Sequence, residues 1–159
     1  MQILLNPHFM ALNEFVQSLP DQFDTLPDAE VLHQGRNVVK IVEREGVRMV
    51  VKSYEHLSFV NRLLYGRVRR SKAVRAYRYA ERLLAMGIDT PTPIAVVDVQ
   101  RGGMLRQSLF VSVYSDYESA AVINSYPAKP ELLQPLMDAL AKFIFRLHDA
   151  GVLHKDLNI

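Results

Sequence analysis

Three short runs rich in β-branched residues, separated by two tight turn signals, constrain this chain more than any other feature. Glu30–Gln34 is brief. Gly35-Arg36-Asn37 then turns the chain into Val38–Arg44, which alternates apolar and polar positions through Val39, Ile41 and Glu43. Glu45-Gly46 turns it again into the valine-rich Val47–Ser53. Branched side chains that are stiff at χ1 suit a pleated surface, and turns this short bring each strand back beside the last. The segment is expected to form an antiparallel meander.

The remaining elements must lie on or beside that sheet. Leu57–Tyr65 reads as a short helix closed by Gly66. Ser71 can cap a firmer helix with apolar positions Val74, Tyr77, Ala80, Leu83 and Leu84, spaced by three and four. Gly87 ends it, and Pro91 and Pro93 forbid its continuation. Ile94–Val99 and Leu109–Tyr114 are two further strands, joined through a Gly102-Gly103 turn. A final helix starts between Pro130 and Pro135, carries Leu136, Met137, Leu140, Ile144 and Leu147 on its inner face, and ends at Gly151. At the other end, residues 8–18 place His8, Phe9, Leu12, Phe15 and Val16 at helical spacing, and Pro20 stops that run.

The expected class is therefore α+β. Residues 1–28 form an N-terminal helix and connector, 29–117 a lobe of five antiparallel strands plus a helix, and 118–159 the incomplete start of a second lobe. The apolar face of the last helix has nothing to cover it in that plan, so exposed hydrophobic surface is expected.

With 159 residues, 49% of them apolar and 23% charged, the chain can bury a real core and is not disordered. It has no cysteine, which removes disulfides and Cys-based metal sites. No stretch approaches the roughly 18 apolar residues of a membrane span, and Met1–Leu5 lacks the length and basic flank of a signal peptide. The reading is cytoplasmic. His8, His33, His56 and His148 have no metal-cluster spacing, and no metal ligands are assigned.

The net charge of +2 hides an asymmetry: residues 62–82 carry +7, from eight Arg and Lys against Glu81, and the rest of the chain −5. Such a segment attracts phosphates, anionic lipid head groups or nucleic acid. A solvated helical face is the plainer alternative.

Two features at a distance suggest chemistry. His154-Lys155-Asp156-Leu157 follows the long helix, in the form by which protein-kinase-like phosphotransferases present a catalytic aspartate: Asp156 would accept the proton of the hydroxyl being phosphorylated, and His154 would brace the loop. Lys52 closes the third strand in Met49-Val50-Val51-Lys52, where alternation would aim its ammonium at the α- and β-phosphates of ATP. A strand-terminal Lys can equally be a solvated one. Gly35, Arg36 and Asn37 are the candidates for a phosphate-covering turn, although one glycine is a poor match to a Gly-rich loop. Glu81 is the only acid on the Ser71–Met86 helix and could fix Lys52, or be captured locally by Arg78. Tyr114 to Asp116 occupies the position of a hinge whose backbone would bind adenine.

Together these stretches resemble the bacterial lipopolysaccharide kinase family, small kinase-like enzymes acting on Kdo or heptose sugars and related in fold to RIO-type kinases. The matching pieces are Gly35-Arg36-Asn37, Val50-Val51-Lys52-Ser53, Ser71-Lys72-Ala73-Val74-Arg75, Gly87-Ile88-Asp89-Thr90-Pro91 with Pro93-Ile94-Ala95, and His154-Lys155-Asp156-Leu157. They cover the chain from about residue 20 onward. The resemblance implies a protein-kinase-like N-lobe, ATP with Mg²⁺, and transfer to a lipid-linked or lipopolysaccharide core sugar at the cytoplasmic face of the inner membrane. It carries Lys52 over as the phosphate-binding lysine and Asp156 as the base. The family's later Asn and metal-binding Asp would lie beyond Ile159, so this segment alone is expected to be nearly inactive. Two other readings are an aminoglycoside-type phosphotransferase and a non-catalytic module using residues 62–82 on anions. With few aromatics among the arginines, nucleic acid is not the expected partner.

Overall fold

The computed structural model describes residues 1–35, 37–54, 69–117 and 130–153. These fall into two compact units, Met1–Ser115 and Asp116–Ile159.

The first unit is built on β1 (Gln2–Leu5), β2 (Glu30–Gln34), β3 (Val38–Arg44), β4 (Val47–Ser53), β5 (Pro93–Arg101) and β6 (Met104–Val113). They form one antiparallel sheet in the order β1-β5-β6-β4-β3-β2. The meander β2-β3-β4 has the bounds expected of it. Five strands were expected and six form: Gln2–Leu5 pairs with β5, from Gln2 opposite Asp98 to Leu5 opposite Ala95. Four residues with a partner some ninety positions away leave no local signature. The β5–β6 hairpin is also longer than its apolar runs, because Gly102 and Gly103, both at positive φ, make a two-residue turn that lets Arg101 face Met104.

A short 3₁₀ helix (Pro7–Leu12) and α1 (Asn13–Gln22) close one face of the sheet. Pro20 was expected to end this run, yet α1 continues through it to Gln22. An interior proline costs about 3 kcal/mol. Burying Leu19 and Phe23 on either side of it, both about fully enclosed, offsets that at about 1.5–3 kcal/mol each. They join Leu12, Val16 and Leu26 against Met49, Val51, Val97, Leu109 and Val111.

The opposite face carries α2 (Lys72–Ala85), which lies over β5 and β6. Ser71 caps it as expected, its Oγ accepting from the Val74 N–H at 3.0 Å, and Gly87 follows in the left-handed region. The buried stripe is Ala73, Tyr77 and Ala80, packed on Val96 with Phe110, Tyr54 and Leu4 around it. Leu84, expected on that stripe, is exposed. The expected Leu57–Tyr65 helix lies outside the described residues.

In the second unit, α3 (Pro130–Asp149) spans 20 residues and passes through Pro135. Of its expected inner face only Leu147 is buried, and Leu136 and Met137 are exposed; so are Phe143 and Phe145, which were not counted on that face. The exposed apolar surface foreseen for this helix is present.

Candidate functional site

Strand alternation decides which side chains share a face. On β4, Met49 and Val51 enter the α1-side core, so Arg48, Val50 and Lys52 point to the face that carries α2. Lys52 stands directly opposite Val39 on β3 and Phe110 on β6, and Phe110 opposite Val96 on β5. Phe110 and Val96 pack under α2, whereas Val39, Val50 and Lys52 are half-buried beyond it. The result is an apolar strip of sheet, Val39 and Val50, ending in one ammonium group. The Lys52 Nζ lies 5.4 Å from the centroid of the Tyr54 ring.

Tyr54 and its surroundings were not picked out from the sequence. Its N–H donates to the Ser108 carbonyl at 3.0 Å, which ties the end of β4 to β6. Burial pushes the Tyr54 phenol above its ordinary value, and the nearby Arg75 charge pulls it partly back. The Arg75 Nε is enclosed and has no hydrogen-bond partner among the described residues. Asp98 was likewise missed, though a carboxylate inside Val96-Val97-Asp98-Val99 was a readable anomaly. It is buried beneath the start of α2 and accepts from the Ser108 Oγ at 2.7 Å and from Ser71. Burial raises its pKa, and those two hydrogen bonds act against the rise. Ser71 therefore caps α2 and also anchors it to the sheet.

The other expected residues fare differently. The Gly35 N–H donates to the Asn37 carbonyl at 3.2 Å, closing the turn on itself rather than offering that amide outward. A Cβ at Gly35 would meet only the His33 ring at 3.0 Å, and the backbone there is not left-handed, so nothing about the turn demands glycine. Arg36 lies outside the described residues. Glu81 is held by Arg78 at 2.9 Å, and no ion pair joins it to Lys52 among the described residues. Of the two partners open to Glu81, the local one is taken, since a residue one turn away is reached without moving the helix.

The Tyr114 N–H donates to the Arg48 carbonyl at 3.0 Å, which continues the pairing of β4 with β6 past Val113. Its ring packs against the Arg48 guanidinium, 4.1 Å from carbon to centroid. Asp116 is exposed. His154 and Asp156, with Lys155 and Leu157, lie outside the described residues. Among the described residues no group of three or more His, Cys, Asp or Glu could hold a metal ion.

A family model, that of the lipopolysaccharide kinase (Kdo/WaaP) family, matches residues 21–159. The chain belongs to that family. The fold also matches a solved structure described as WaaP in complex with acyl carrier protein, with a TM-score of 0.59 at 18% identity, over 93% of this chain and 57% of that one. That likeness supports a kinase-like N-lobe for the first unit. A further relative is the "Probable bifunctional tRNA threonylcarbamoyladenosine biosynthesis protein" of Methanosarcina mazei, 25% identical over 140 residues. The match takes in 87% of this chain but 22% of that protein. The chain thus spans little more than half of the one relative and under a quarter of the other.

Proposed function

We propose that this chain carries the nucleotide-binding lobe of an ATP-dependent phosphotransferase acting on a hydroxyl of a lipopolysaccharide core sugar, Kdo or heptose. The observation that carries the reading is the position of Lys52: on the α2 face, at the end of the apolar strip made by Val39 and Val50. Those two valines suit the flat faces of a purine. The ammonium beyond them is a compact positive charge that can neutralise and orient a polyphosphate. Bound ATP would supply the phosphoryl group.

In this reading Lys52 fixes the phosphate chain, and Tyr54, pinned at the end of β4, keeps the lysine's stem from swinging away. Asp156 takes the proton of the acceptor hydroxyl as its oxygen bonds to phosphorus, and His154 braces the loop that carries Asp156. Mg²⁺ bound with the nucleotide would neutralise charge on its phosphates.

The test is equilibrium binding. Wild-type chain should bind ATP, and Lys52→Met should weaken that binding by roughly 10- to 100-fold, the worth of a charged hydrogen bond. Its melting temperature should stay close to that of wild type, because Lys52 is only half-buried. A core oligosaccharide bearing Kdo and heptose should bind in preference to kanamycin. Unchanged ATP affinity in Lys52→Met would overturn the nucleotide assignment; preference for kanamycin would replace the acceptor with a cationic antibiotic.

A further inference from the structure

The sheet-facing stripe of α2 is Ala73, Tyr77 and Ala80. At 3.6 residues per turn, the opposite sector of the helix holds, beside the half-buried Arg75, the side chains Tyr79, Arg82 and Met86, with Lys72 and Arg78 on its flanks and Arg70 just before the cap. All but Arg75 are exposed, Tyr79 at 62% and Met86 at 39%. Four exposed cations stand there against one acid, Glu81, which the Arg78 pair already offsets. From Lys72 to Met86 the stripe is about 21 Å long at 1.5 Å per residue, and it follows a helix axis.

We infer that this face of α2 rests on the surface of an anionic bilayer, with its Arg and Lys against lipid phosphates and Tyr79 and Met86 in the head-group layer. A helix side is convex and straight. It can touch a flat charged surface along its whole length. The mixture of residues points the same way. Lys and Arg ends reach phosphates while their stems lie along apolar surface, and a tyrosine with one apolar and one polar end belongs at an interface. A single exposed aromatic gives no platform for stacking successive bases. The face is also distinct from the Lys52 strip, which lies on the sheet at the other side of the helix. Docking through it leaves the nucleotide site uncovered.

The experiment is co-sedimentation of the whole chain with vesicles of phosphatidylcholine alone, or of phosphatidylcholine mixed with phosphatidylglycerol. Binding is expected to the mixed vesicles only and to weaken steadily with added salt. Replacing both Lys72 and Arg82 with Ala should weaken it about 30-fold, the worth of two cations near an anionic surface. Tyr79→Ala should weaken it without changing the salt dependence, since that contact is not ionic. ATP affinity, measured in parallel, should be unaffected by any of these changes. Equal binding to neutral vesicles, or no effect of the double substitution, would overturn the inference. So would tighter binding to single-stranded RNA than to mixed vesicles with the same dependence on Lys72 and Arg82, which would make the partner nucleic acid.

Discussion

The Glu81 carboxylate lies 2.9 Å from the Arg78 guanidinium, one turn back on the same helix, and among the described residues no ion pair joins it to Lys52. Both side chains are about half exposed, so water screens the pair to about 0.2–0.5 kcal/mol. Glu81→Ala should therefore change unfolding stability by less than about 0.5 kcal/mol and ATP affinity by less than about twofold. Isothermal titration with ATP checks this. A tenfold loss of affinity would mean that Glu81 leaves Arg78 for Lys52 when nucleotide binds.

Asp98 makes a prediction about pH. Burial raises its pKa from the ordinary 3.8, against the pull of hydrogen bonds from Ser108 and Ser71. The folded state then holds this proton more tightly than the unfolded chain. Between 3.8 and the raised value, stability must fall as pH rises, and above that window the cost of burying the charge is complete. Asp98→Asn has no such titration. The stability of wild type relative to the variant should be greatest at the acid end and decline to a plateau toward neutrality, as measured by urea unfolding at a series of pH values. A difference independent of pH would show that Asp98 titrates as it does in the unfolded chain.

What the sequence disclosed follows from what is local. The meander was legible because its turns and β-branched runs are adjacent, and β3 and β4 take the expected bounds. The cap at Ser71 and the stop at Gly87 were legible for the same reason. β1 was not, because its pairing with β5 is set by the tertiary fold and not by its own four residues. Lys52 could be put on a face by counting twos along β4. That Tyr54 stands beside it, and that Asp98 lies under α2, could not be read without knowing that β4, β6 and β5 are neighbours. Glu81 had two possible partners in the sequence, and only coordinates distinguish them.

The α1 face offers a direct check on packing. Leu19 is fully enclosed between α1 and the sheet, next to the proline that the helix passes through. Leu19→Ala should lower unfolding stability by about 2–5 kcal/mol, the transfer term plus the cavity left behind. If instead the cost is below about 1 kcal/mol, α1 is not what closes this face. Denaturant unfolding followed by far-UV circular dichroism measures it.

Lys40 is the residue whose role the alternation of β3 most disguised. Read as one polar position in an alternating strand, it sits with Val38 and Val42 on the α1 side and is buried. Its Nζ donates to the Phe23 carbonyl at 2.5 Å and the Asp24 carbonyl at 3.0 Å, and lies 4.8 Å from the Phe23 ring centroid. Both acceptors are at the C-terminal end of α1, where carbonyls lack helical partners and the helix dipole favours a cation. Lys40 thus caps one element from the strand of another. Lys40→Met keeps most of the stem's packing but strips both carbonyls of their donor, at about 1–3 kcal/mol for each buried acceptor left unmet. The variant should lose about 2–4 kcal/mol of stability, and hydrogen exchange should quicken first in the last turn of α1. ATP affinity should hold, since Lys40 and Lys52 lie on opposite faces of the sheet. Equal loss of protection across all six strands would show that the cap stabilises the whole unit evenly and not the α1 junction.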